Sequence, residues 1–116
     1  MPKDDPTYLG HMLEMARKAL SKVKGKTRLD YDDDEDLRIV LTHLLQVIGE
    51  AARGVTPEFQ AANPQIPWKA IIGMRHRVVH DYMEVDEDVV WDTVQKELKP
   101  LVAELEKMVE QDGHCC

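Results

Sequence analysis

Nine residues, "MRHRVVHDY" from Met74 to Tyr82, gather two arginines, two histidines, an aspartate and a tyrosine. The chain around them is acidic, with 22 Asp and Glu against 15 Lys and Arg. Arginine offers a planar fork of donors that matches phosphate oxygens, and histidine exchanges protons near neutral pH. Together they suit RNA cleavage by attack of the neighbouring 2′-hydroxyl on phosphorus. That reaction needs a base for the hydroxyl, an acid for the leaving oxygen and positive charge around the pentacoordinate phosphate. It requires no metal. The same residues also fit an ion-paired helix surface. His76 and His80, four apart, have a spacing found in zinc sites, but no matching third ligand lies nearby in the sequence. On chemistry alone Tyr82 reads as a capping or packing residue, and Trp68 and Trp91 as core or interface aromatics.

Spacing constrains how such a cluster works. At about 100° per helical residue, His76 and His80 stack one above the other, and Arg75 nearly aligns with Tyr82. Arg75 and His80 point about 140° apart. They meet on one small substrate only if the helix ends near His80, or if a second subunit brings its copy opposite. The spacing therefore favours a site at an isologous two-fold interface. There Arg75 holds the phosphate and two copies of His80 share the acid and base roles.

The elements that must position this cluster are helical. "DPTYLGHMLEMARKALSKVKG" opens with Asp5 as a candidate N-cap and Pro6 at the first helical position. Its apolar stripe runs through Leu9, Met12, Leu13, Ala16, Ala19, Leu20 and Val23, and Gly25 can end it. The run "DYDDDED" reads as a solvated loop leading into a helix start, or as a docking edge for a basic partner. Leu37, Val40, Leu41, Leu44, Leu45, Ile48, Ala51 and Ala52 then mark a second amphipathic helix ending at Gly54. His43, Gln46, Glu50 and Arg53 form a polar strip beside that face, able to orient Arg75 by hydrogen bonding or simply to be solvated. Thr56 and Pro57 start a short helix stopped by Asn63–Pro64. Pro67 begins the helix that carries the cluster. Asp86 caps the last helix, which Pro100 should kink or split. No period-two run is long enough for a strand. The expectation is an all-α bundle of four main helices and a short one.

Length and composition agree with one domain spanning residues 1–116, with its core at about 7–110 and a flexible tail at 111–116. The chain is 43% hydrophobic and 32% charged, with few aromatics, so aliphatic side chains must form most of the core. A net charge of −7 argues against sequence-blind binding to long duplexes. No apolar run approaches the ~20 residues that span a bilayer, and the first ten residues lack the pattern of a signal peptide. The two cysteines, Cys115 and Cys116, are adjacent and cannot build a disulfide framework. A cytoplasmic protein without membrane contact is the expectation.

"IPWKAIIGMRHRVVHDYMEVDEDVVWDTVQKEL" resembles the HepT-like family of the HEPN superfamily, small helical proteins with an Arg-x4-His-x-Tyr motif. Arg75, His80 and Tyr82 fill those positions. Pro67–Trp68, Gly73–Met74, Val85–Asp86 and Val90–Trp91 match the surrounding pattern, and "QVIGEAARGV" resembles the second long helix, including Gly49, Glu50 and Ala51. The similarity covers about residues 7–110. One departure is His76, where many family members carry asparagine; its imidazole can still donate a hydrogen bond.

The resemblance implies an all-α HEPN bundle that dimerises through the motif helices. It implies a metal-independent ribonuclease without cofactor, the toxin of a toxin–antitoxin pair, with Arg75 and His80 catalytic. His76, Arg77 and Glu50 are supporting candidates. The implied partner is a minimal nucleotidyltransferase antitoxin that transfers AMP units to Tyr82. The rival reading is a non-catalytic helical partner of a nucleotidyltransferase, binding nucleotide or substrate at the same cleft.

Overall fold

The computed structural model describes residues 4–81 and 84–111, the side chains of residues 80, 81 and 109–111 excepted. Tyr82 and the Cys115–Cys116 tail lie outside the described residues. The all-α expectation holds, with one short hairpin added. Helix α1 (Asp5–Val23) packs along α3 (Glu35–Gly54) and against α8 (Leu98–Gln111). Their facing stripes are the apolar positions that helical spacing marks out: Leu9, Met12, Ala16 and Ala19 on α1, Leu41, Leu45 and Ile48 on α3, and Leu98 and Leu105 on α8 are all buried. Among the described residues no helix is long and apolar enough to cross a membrane.

Several boundaries differ from expectation, each for a local reason. Asp4, not Asp5, caps α1, accepting a hydrogen bond from the Thr7 amide at 3.1 Å. Asp5 is thereby free to accept from the Thr56 amide at 2.9 Å and the Thr56 hydroxyl at 2.8 Å. It joins the start of α1 to the start of α4 (Pro57–Ala62). Gly25, with φ of 75°, turns the chain after α1.

The end of the acidic run starts a helix as expected, with Asp34 capping α3 and Glu35 and Asp36 in its first turn. The residues before it are not a loop. Helix α2 (Arg28–Asp33) forms there, begun by a reciprocal capping box between Thr27 and Asp30. It is anchored by Tyr31, which is fully buried against the Trp91 ring at 5.2 Å.

The last helix begins under an Asp86 cap, as expected, with the Val89 amide donating to its carboxylate at 3.1 Å. It runs as α7 (Glu87–Asp92), a wider π-helical turn (Thr93–Glu97) and α8. The irregularity therefore falls one turn before Pro100. A proline ring meets the carbonyl four residues back, here that of Lys96 inside the widened turn.

Candidate functional site

The helix that Pro67 opens does not run through the cluster. It forms α5 (Trp68–Ile72), breaks at Gly73, resumes as α6 (Met74–Val78) and ends there. Val79–Asp81 form strand β1, paired antiparallel with β2 (Glu84–Val85), with Val79 opposite Val85. The Asp86 amide closes the hairpin by donating to the Val78 carbonyl at 2.7 Å. The expectation of no strand fails here, because three residues are too few to display a two-residue period. This correction bears on chemistry. Arg75 sits on a helix and His80 on a strand, so the 140° separation computed for a continuous helix no longer applies to them.

Two apolar anchors hold α6: Met74 and Val78 are buried, 1% and 0% exposed. Gly49 of α3 permits close packing from the other side. A Cβ at Gly49 would stand 2.8 Å from the Ile71 carbonyl oxygen and 3.4 Å from the Met74 Cβ. The motif segment is thus pinned to α3, while Arg75 and His76 face solvent.

The two arginines differ in their partners. Arg77 directs both terminal nitrogens at Glu97, 3.3 Å to Oε1 and 3.0 Å to Oε2. Among the described residues no hydrogen bond or ion pair engages the Arg75 side chain. It is a guanidinium fork open to an incoming anion. Glu50 is exposed on α3 and paired with Arg53 at 3.4 Å. His80 is placed by its backbone alone, within β1.

Other parts of the polar strip on α3 turn toward the hairpin. His43 and Gln46, with Glu35, Arg38, Ile39 and Thr42 of the same helix, line a cleft that also takes in Val85 of β2 and Glu87 of α7. Glu87 is fixed in place, accepting the Tyr31 hydroxyl and lying 3.9 Å from the Arg38 guanidinium. This support is not legible in residue spacing. Its only trace was the Thr-x-x-Asp capping pattern at Thr27–Asp30 ahead of a lone tyrosine. Among the described residues no group of three His, Cys, Asp or Glu stands close enough to hold a metal ion.

A family model described as Ribonuclease HepT-like matches residues 12–108. Among curated proteins, one of Caldanaerobacter subterraneus subsp. tengcongensis, provisionally named an RNase, is 35% identical over 104 residues, 90% of this chain and 89% of its own length. A Methanocaldococcus jannaschii protein is 32% identical over 111 residues, 96% of this chain. The chain spans only 50% of that protein, whose name joins gamma-glutamylcyclotransferase to a provisional RNase. A Thermococcus cleftensis protein, provisionally named ribonuclease HepT, is 30% identical over 100 residues, covering 83% of this chain and 91% of its own. No solved structure matches.

Proposed function

This chain belongs to the ribonuclease HepT-like family, and from that premise we propose that it is a metal-independent endoribonuclease built on Arg75 and His80. One observation carries the reading: the motif helix stops at Val78, two residues before His80, while Arg75 projects unpaired from its exposed face. Arg75 binds the scissile phosphate through paired charge-assisted hydrogen bonds. An imidazole of His80 takes the proton from the 2′-hydroxyl as its oxygen attacks phosphorus. The bond to the 5′-oxygen then breaks, and a protonated imidazole gives that oxygen its proton. The negative charge on the pentacoordinate phosphate is met by the guanidinium. A homodimer places two copies of the motif about one two-fold axis, supplying one imidazole as base and the other as acid.

The same proposal makes the chain the cytoplasmic toxin of a toxin–antitoxin pair. Its partner, a minimal nucleotidyltransferase, transfers AMP units to the Tyr82 hydroxyl. Each phosphodiester added beside Arg75 brings negative charge and acceptor oxygens of the kind the fork binds, so inhibition follows from occupancy without refolding.

Replacing His80 with alanine should lower cleavage of single-stranded RNA by about 10²–10⁴-fold, the usual range for losing an acid–base group. Helicity and oligomeric state should not change. Undiminished cleavage by that variant would overturn the assignment of His80, whereas wild-type protein that binds RNA without cutting it would favour the non-catalytic binding partner.

A further inference from the structure

The cleft between α3 and the hairpin carries chemistry that phosphate binding does not use. Its α3 wall is one helical stripe, with Ile39, Thr42, His43 and Gln46 at spacings of three and four. Ile39 is 61% exposed, so its side chain is available to a guest at the cleft. Val85 of β2 also lines the cleft, so both α3 and the hairpin contribute apolar surface. The Thr42 hydroxyl is already engaged, donating to the Arg38 carbonyl at 2.8 Å. His43 and Gln46 have no hydrogen-bond partner among the described residues, so an imidazole and a side-chain amide are free to bind a guest. The cleft is open to solvent on one side and has a volume of about 430 Å³, in the range of small-molecule sites.

Charge bears on the guest. Glu35, Arg38 and Glu87 border the cleft, and Arg38 lies 3.9 Å from Glu87. Among the described residues Glu35 is thus left as the carboxylate without a cation beside it, and no cation is left over for a phosphate. A neutral, flat, polar-edged group needs none. Val85 pairs with Val79, whose chain neighbour is His80. Adding a cross-strand Cα separation to one Cα step puts Val85 within about 10 Å of the His80 backbone.

We infer that this cleft seats the nucleobase flanking the scissile phosphate of single-stranded RNA. The base packs its faces against Ile39 and Val85 and its edge on Gln46 and His43. Bases that are splayed out of a strand are recognised in this way, by contact with their faces and hydrogen bonds to their edges. A side-chain amide reads a base edge with a donor and an acceptor together. The inference rests on RNA being the substrate, and it makes α3 the element that determines sequence preference.

The test separates the two. A fluorescein-labelled, random-sequence RNA octamer is titrated by anisotropy into protein carrying His80→Ala, so that binding is read without cleavage. Adding Ile39→Lys, or His43→Ala together with Gln46→Leu, should weaken binding at least fivefold. Lys18→Ala on α1 should leave it unchanged. In otherwise wild-type protein, Gln46→Leu should flatten the base preference beside the cut in a sequenced random pool. Unchanged affinity and unchanged preference would overturn the cleft assignment even if wild-type protein cuts RNA. So would a loss of binding that merely tracks a changed oligomeric state. Cleft-dependent binding by a protein that never cuts would uphold the cleft and remove the nuclease.

Discussion

Arg75 and Arg77 share a charge and a five-residue helix, and the fold commits one of them. Arg77 is held by Glu97 on the last helix, whereas Arg75 projects into solvent. Their substitutions should therefore separate. Arg75→Lys keeps the charge but loses the planar fork. A charge-assisted hydrogen bond contributes roughly 1.5–3 kcal/mol, so cleavage should fall about 10–100-fold with the melting temperature unchanged. Arg77→Gln breaks a partly exposed ion pair of the kind that contributes less than about 1 kcal/mol. It should cost a few degrees at most and leave cleavage within about threefold. Initial rates on a labelled RNA and thermal melts of both variants check this. A reversed pattern would make Arg77 the phosphate ligand. The sequence made both arginines visible as candidates. It could not say which was free, because Glu97 lies 20 positions away and reaches Arg77 only through the fold.

At the scale of elements, periodicity revealed what is long. The stripes of α1, α3 and the last helix repeat every three or four residues over several turns, and their buried positions are almost all legible from that spacing alone. Short elements carry too few residues to show a period, so the hairpin and α2 went unseen. Yet they frame the site. Gly49 tests the packing of α3 on the motif segment. Gly49→Ala gains helix propensity of about 1 kcal/mol but drives a methyl to 2.8 Å from the backbone oxygen of Ile71, which cannot swing aside. Overpacking of this kind costs roughly 1–3 kcal/mol. The expected result is a net loss of stability, a lower melting temperature and reduced cleavage as the segment bearing Arg75 shifts.

Tyr31 tests the link between α2 and α7. Burial, reinforced by its hydrogen bond to Glu87, pushes the phenol above its ordinary value near 10. A folded value above the unfolded one means a contribution fully present below about pH 10 and lost as pH rises further. Urea melts should therefore show wild-type stability falling between about pH 10 and 11 more steeply than that of Tyr31→Phe. Below that window the variant should be the weaker by about 1–3 kcal/mol, since Glu87 loses a buried partner. Parallel pH profiles for the two proteins would remove Tyr31 from the account.

For the whole molecule, an acidic chain that acts on RNA must draw its affinity from few cations. With net charge −7 and one open motif arginine per subunit, a dimer would neutralise about two phosphates. The expected slope of log affinity against log salt is near −1.4 for single-stranded RNA, far shallower than that of a basic RNA-binding surface. Pairing of subunits makes a sharper demand. If a guanidinium from one copy and an imidazole from the other converge on one diester, two inactive proteins should rescue each other. Arg75→Ala and His80→Ala, unfolded together and refolded as a mixture, yield mixed dimers that retain one intact arginine and one intact histidine across the axis. Their cleavage should exceed that of either parent at least tenfold and should depend on the mixing ratio, peaking at equal amounts. Rescue stays below wild type because the mixed dimer keeps one imidazole of the two. Variants that stay silent at every ratio, while native mass spectrometry detects the mixed dimer, would mean that one arginine and one histidine from opposite subunits do not make a working site, and that shared pairing would have to be abandoned.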